Sequence, residues 1–327
     1  MTMMTTIQNL ASEQEPSAGD FVFWTPAPGA TVEVGADRHP FLLPILPLPL
    51  HRPALAEGAP DDAAVGQGLY DYLRQFPDCP HNSVYAQLLR DAYPHFLADM
   101  GAHILMLENK DVDGHYVRRK LSYLKILALL DPGNAGLLQS AGVTCYDLGM
   151  TFSEFGQSRQ HLLGALGFFQ RALRLQPGNG FLINYLAQTN YLLGDFPQAL
   201  GLWQALEGQL PEGAARSAIR QKIAAIEADQ VPDHPPVNDL EMIGLALACY
   251  GQQEVAAACE IMERLEEEGT VVREFPSAEF YYFLGVCRSR TGDAGGAFAA
   301  LEEALALDPE HQQSLQARDR LQDGKTL

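Results

Sequence analysis

Four times along this chain an apolar, helix-patterned run stops on a glycine, at Leu148-Gly149, Leu193-Gly194, Tyr250-Gly251 and Thr291-Gly292. Each stop is followed by a second run whose small residues fall on the side facing the first. A helical hairpin of this kind can bury its apolar face only against neighbouring hairpins, so the pattern predicts a stack of them with an extended concave surface. Glycine and alanine at a crossing let two backbones approach, while Leu, Phe and Trp fill the space beside them. The four glycines are each expected to supply the left-handed residue that commonly ends a helix.

The clearest unit spans residues 278–309. Tyr281, Leu284 and Gly285 share one face of its first helix, Ala297, Leu301 and Ala304 share one face of its second, and Asp308-Pro309 closes it. Residues 180–211 repeat the frame with Ile183, Leu186, Ala187, Gly194, Ala199, Trp203, Leu206 and Pro211. In these columns the chain resembles the tetratricopeptide repeat (TPR) family, whose helix-turn-helix unit runs to about 34 residues. A third unit opens with Leu138, Ala141, Gly142 and Gly149. Its second-helix match, Ala165, Phe169, Ala172 and Pro177, arrives eleven residues late, which makes residues 150–160 an insertion. A fourth reads Leu240, Ile243, Gly244, Leu247, Gly251 and Ala256. There Glu260 and Glu263 occupy apolar columns, so the frame is slipped by one residue onto Ala257, Ile261 and Arg264. Lys120, Leu124, Leu127 and Pro132 resemble the second half of a further unit, and the resemblance covers residues 83–321.

The resemblance implies an all-α, TPR-like helical-hairpin solenoid that binds a protein or peptide segment on the inner surface formed by its first helices. The inward columns it nominates are Gln139, Val143 and Tyr146, then Asn184, Gln188 and Tyr191. Further along they are Glu241, Leu245 and Ala248, then Tyr282, Val286 and Ser289, with Arg290 close by. Amides can bond both donor and acceptor of an extended backbone, and tyrosines supply rigid contact area with a polar tip. The lysine and arginine clamp by which some TPR domains hold a carboxylate tail is missing from these columns.

Charge narrows the partners. With 22 basic and 41 acidic residues the formal net charge is -19, a field that repels phosphate backbones and excludes nucleic acid as the expected partner. No run of about 18 apolar residues marks a membrane span, and residues 1–20 lack the basic start and apolar core of a signal peptide, so the cytoplasm is the expected address. Five scattered cysteines, an odd number, read as buried reduced thiols.

Organisation changes near residue 62. Before it, residues 21–24 and 31–34 alternate as short strands of one small hairpin. Residues 41–50, from Phe41 to Leu50 with Pro44, Pro47 and Pro49 between, are too apolar to hang in water and too proline-rich for a helix. This partly extended segment is expected to dock on the helices, with self-docking in the groove or presentation to another protein as alternatives. Helices are predicted over 63–75, 83–109 and 116–130, then the paired units, with 216–228 lacking an obvious partner. Residues 230–237 read as a linker between a 63–229 array and a 238–327 pair of hairpins with a polar capping helix.

Signals for chemistry are weak. Asn109, Lys110, Asp111, Val112, Asp113 and Gly114 mimic the opening of a calcium loop, yet Lys120 stands at the twelfth position, so a helix-ending turn is expected. Cys79, His81, His95 and His103 lack a zinc spacing, and Gly66-Gln67-Gly68 lacks the strand and third glycine of a dinucleotide fingerprint. The sequence therefore predicts a non-enzymatic interaction protein with no cofactor or metal, in a scaffold, adaptor or chaperone role. Two alternatives are a regulator whose residues 41–50 compete for the groove, and an enzyme with an unrecognised site in residues 63–130.

Overall fold

The computed structural model describes residues 18–35, 38–55, 60–108 and 114–327. The chain divides into two compact units, Met1–Ala141 and Gly142–Leu327. The helix-ending turn expected at 109–114 lies, but for Gly114, outside the described residues.

The first unit opens with strands β1 (Phe21–Trp24), β2 (Thr31–Val34), β3 (His39–Leu42) and β4 (Leu48–His51). The expected pairing of 21–24 with 31–34 does not form. Instead β2 pairs antiparallel with β3, and β1 reaches past both to pair with β4, Phe21 opposite His51 and Trp24 opposite Leu48. The cause is tertiary. Phe21 sits 5.2 Å from the Tyr72 ring and 4.9 Å from that of His51, while Leu48 and Leu50 are fully buried. They pack on α1 (Asp62–Gln75), where a Cβ at Gly68 would lie within 2.4 Å of the Pro49 carbonyl oxygen. The Gly66-Gln67-Gly68 run thus has a structural use: Gly68 admits β4, and Gly66 lies under the Tyr93 ring.

The helix predicted over 83–109 is two helices, α2 (Asn82–Ala92) and α3 (Pro94–Glu108). Pro94 lacks the amide that would continue the ladder and drives Tyr93 out of helical geometry, to φ -133° and ψ 54°. After α4 (Gly114–Leu130) comes α5 (Ala135–Gly149), within which the division between the units falls.

The second unit continues from α5 through a 3-10 turn (Phe152–Gln157) to α6 (Ser158–Leu175), α7 (Gly180–Leu192), α8 (Phe196–Glu207) and α9 (Ala214–Glu227). Then follow α10 (Pro236–Gly251), α11 (Val255–Glu268), the short α12 (Thr270–Glu274), α13 (Ala278–Thr291), α14 (Ala294–Leu307) and α15 (Gln312–Gln322). The hairpin columns close as their residue types require: Phe169 lies against Gly142, and Gly285 meets the Ala297 carbonyl and Leu301. Leu162, Leu192 and Val237 form one buried cluster, so residues just after the proline-rich 230–236 run are packed on α6 and α7.

The inserted turn has a defined seat. It lies across α10 so closely that a Cβ at Gly244 would fall 2.2 Å from the Gly156 amide nitrogen. The small residue in the fourth unit therefore admits the insertion.

The register of that unit also differs from the one-residue slip. Its second helix buries Ala258, Cys259, Met262 and Leu265, while Ala256 and Ala257 are exposed, so the shift is two residues. Of the four glycines, Gly194 (φ 87°) and Gly292 (φ 95°) are left-handed; Gly149 and Gly251 are not. In the fourth unit α10 is extended, and the left-handed position falls on Gln253 (φ 68°), immediately before the N-cap Glu254. A side chain in that conformation costs about 1 kcal/mol relative to glycine. Gln253→Gly is therefore expected to stabilise the protein by about 0.5–1 kcal/mol in urea unfolding; destabilisation would contradict the assigned turn.

Candidate functional site

Hollows of the second unit lie where α7, α8 and α9 meet. Asn179 starts α7 by accepting from the Phe181 and Leu182 amides (3.1 and 3.3 Å), and Asp195 starts α8 by accepting from the Gln198 amide at 3.2 Å. Leu206 and Trp203 of α8 join Ile183 and Ala187 of α7 in one buried cluster. Helix α9 contributes one buried residue, Ile219, and is held to the end of α8 by Arg216 and Arg220 on Glu207 (2.9 and 2.8 Å). The two arginines hold the Glu207 carboxyl below its ordinary pKa, through their hydrogen bonds first. With so little of α9 buried, its inner face forms a wall.

Three adjoining hollows result, of about 590, 480 and 230 Å³. Lys222 lines all three, and Trp203, Tyr191 and Gln188 each line two. The lobe at the start of α7 is apolar, walled by Phe181, Leu206, Leu210 and Ile219. The lobe at its other end is the more polar of the two and includes Gln221, Arg273 and Glu274 beside Trp203, Ala225 and Val231.

Hydrogen bonding fixes what the lining can offer. Indole nitrogen only donates, so the 3.2 Å contact from Trp203 Nε1 assigns Asn184 Oδ1 to it and leaves the Asn184 amide nitrogen as a donor. Tyr146 donates to Gln188 Oε1 at 3.1 Å, which leaves Gln188 Nε2 likewise. Tyr191 donates to Glu274 at 3.0 Å, and Arg273 pairs with the same carboxylate at 3.1 Å, so that acid is already engaged. Burial, with the Glu274 charge next, holds the Tyr191 hydroxyl well above its ordinary pKa and keeps it protonated. Burial likewise pushes Tyr146 up to about 12.

Lys222 is the unspent cation. Its ammonium lies 4.8 Å from the centre of the Trp203 ring, and no described carboxylate stands at ion-pair distance from it. Surrounding protein lowers its pKa, with Glu274 opposing that shift from farther off.

Of the nominated columns, Tyr146, Asn184, Gln188 and Tyr191 line this groove. Val143 is half-buried on α5, and Gln139 stands on the stretch of that helix belonging to the first unit. Glu241 lies elsewhere, paired with Arg159 at 3.2 Å. Tyr282 packs with Leu301, Ala317 and Leu327, and Arg290 is exposed at the end of α13. Sequence reasoning missed Lys222, Ala218 and Arg273, which sit on α9 and α12 outside the first-helix columns. The legible signal was weak: a helix over 216–228 with polar residues on most of its surface.

His103 bonds the Asp99 carbonyl at 2.8 Å within its own helix, and the His95 ring lies 4.2 Å from that of Phe96. Among the described residues no group of three or more His, Cys, Asp or Glu side chains is arranged to hold a metal ion. Burial pushes the Cys287 thiol up to about 12 and that of Cys79 up to about 11, which keeps both from acting as thiolates near neutral pH. No described helix is long and apolar enough to cross a membrane.

Ala199, Ala258 and Ala297, all fully buried at helix crossings, each stand four residues after the N-caps Asp195, Glu254 and Asp293. The fold is all-α and TPR-like, with a partly extended N-terminal segment. Solved structures similar to this chain include a thermophilic TPR protein of Thermus thermophilus, at 17% identity and a TM-score of 0.28, covering 58% of this chain and 99% of that one. YrrB, a TPR protein with an unusual peptide-binding site, matches at 16% identity and a TM-score of 0.23, covering 78% of this chain and 99% of its own. A tetratricopeptide repeat protein of Parabacteroides merdae matches at 12% identity and a TM-score of 0.27, covering 80% and 92%. No family model matches the sequence, and no curated protein matches it.

Proposed function

We infer that this chain is a non-catalytic protein-interaction module that holds an extended segment of a partner protein in the groove between α7, α8 and α9. The observation that carries the reading is the lining itself. Amide donors at Asn184 and Gln188 border an apolar lobe, and the carbonyls of an extended backbone supply the acceptors those donors need. Scaffold, adaptor and dedicated chaperone roles all draw on this single property. The burial of Leu48 and Leu50 against α1 counts against residues 41–50 acting as a competing pseudo-ligand, since release would expose both side chains to water.

Ala218 tests the reading because it is exposed, lines two of the hollows and takes no part in the core. Ala218→Trp is expected to fill the groove and weaken a bound peptide by about thirtyfold, the scale of an interface hot spot. The far-UV dichroism should be unchanged and the unfolding free energy should stay within about 0.5 kcal/mol of the parent, as for other surface changes. Equal peptide affinity in both proteins, by fluorescence anisotropy, would place the binding surface elsewhere.

A further inference from the structure

We propose that the segment bound in the groove carries an internal aspartate or glutamate that pairs with Lys222, two positions from a large apolar side chain seated among Phe181, Leu206, Leu210 and Ile219. The inference rests on the groove reading above and adds the chemistry of the ligand.

Three observations lead to it. The protein has a net charge of -19, yet the residue common to all three hollows is a lysine with no described carboxylate in ion-pair contact. The remaining free polar atoms of Asn184 and Gln188 are donors, and the nearby Glu274 carboxylate is taken up by Tyr191 and Arg273. A basic guest would therefore meet a cation and donors, whereas a carboxylate meets complementary partners.

Position distinguishes a side-chain carboxylate from a chain terminus. Lys222 stands between the apolar and the polar lobe and borders both, so a segment pairing with it runs on in either direction. A terminal carboxylate would leave one lobe empty. In an extended segment, residues two apart point to the same side, about 7 Å from each other, which lets an acid face Lys222 while its neighbour fills the apolar lobe.

The test begins with a bead-displayed library of random twelve-residue peptides, sorted against the full-length chain and counter-sorted against its Ala218→Trp variant. Groove-dependent sequences are expected to share an Asp or Glu two positions from Leu, Ile, Met or Phe. In a synthetic peptide of that set, Glu→Gln in the peptide and Lys222→Gln in the protein should each weaken binding about tenfold. The two changes together should cost no more than either alone, while Lys222→Arg restores most of the affinity and amidating the peptide C-terminus changes nothing. Groove-dependent peptides without an acid, or losses that simply add, would overturn the proposal and leave the groove reading standing. Loss on amidation in place of Glu→Gln would overturn it in favour of a terminal carboxylate. Recovery of no groove-dependent peptide would sink the groove reading and this inference with it.

Discussion

Trp203→Ala is expected to destabilise the second unit by about 3–5 kcal/mol, the range for removing a buried aromatic side chain. Trp203 is 1% exposed and belongs to the cluster that joins α7 to α8 and α9. Its removal also leaves Asn184 Oδ1 without its donor and the Lys222 ammonium without the ring beneath it. The thermal midpoint should fall by roughly 10 °C for a unit of this size. Trp203→Phe separates the two contributions: it keeps most of the apolar bulk and loses the hydrogen bond, so about 1 kcal/mol is expected. A midpoint for Trp203→Ala within two degrees of the parent would show that the indole is not what joins these helices, and a Trp203→Phe loss as large as that of alanine would assign the effect to the hydrogen bond and not to apolar bulk.

Gly244→Leu should cost about 3 kcal/mol by a different route, overpacking against backbone. The new Cβ would stand 2.2 Å from Gly156 N, 2.4 Å from its Cα and 2.7 Å from the Phe155 carbonyl carbon, and none of these atoms belongs to a side chain that can swing aside. The turn Phe152–Gln157 must then lift from α10 and take Phe155, 7% exposed, out of the cluster it shares with Leu240 and Ile243. Limited proteolysis should cut within residues 151–157 in the variant and not in the parent. Gly251→Ala is the control: nothing lies within 4 Å of its Cβ and its backbone is not left-handed, so stability should hold. Resistance of the Gly244→Leu turn to protease would mean that the insertion is held by something other than its approach to this glycine.

The two glycines show how far pattern reading reaches. Gly285 was legible as a crossing residue because its neighbours Leu284, Ala297 and Leu301 recur at fixed offsets, and it meets the Ala297 carbonyl and Leu301 as that pattern requires. Gly244 occupies the equivalent column, yet its closest neighbour is an inserted turn that has no counterpart in the repeat. The two-residue shift of α11 escaped for a related reason. Gln253 takes the left-handed position, and the penalty for a non-glycine residue there, about 1 kcal/mol, is small enough for the surrounding burial of Ala258, Met262 and Leu265 to override.

In the groove, the legible residues were those on a first helix: Asn184, Gln188 and Tyr191 repeat in a frame, and α7 presents them to the hollows. Lys222 was not legible. Its place in the lining comes from the approach of α9 to Trp203, and among the described residues no carboxylate stands at ion-pair distance from it; neither fact leaves a period in the sequence. The strand pairs of the first unit belong to the same class, because β1 and β4 are brought together by Phe21, Leu48 and Leu50 burying on α1.

The sequence by itself determined where most helices start and stop and which faces they bury in the clearest hairpins, since capping, proline chemistry and the 3.6-residue period act over a few neighbouring residues. Tertiary structure alone decided the seat of the insertion, the register of the fourth hairpin, the pairing of the strands and the cation at the centre of the groove. These depend on how closely segments far apart in the chain can approach, and small differences in burial energy between registers settle them.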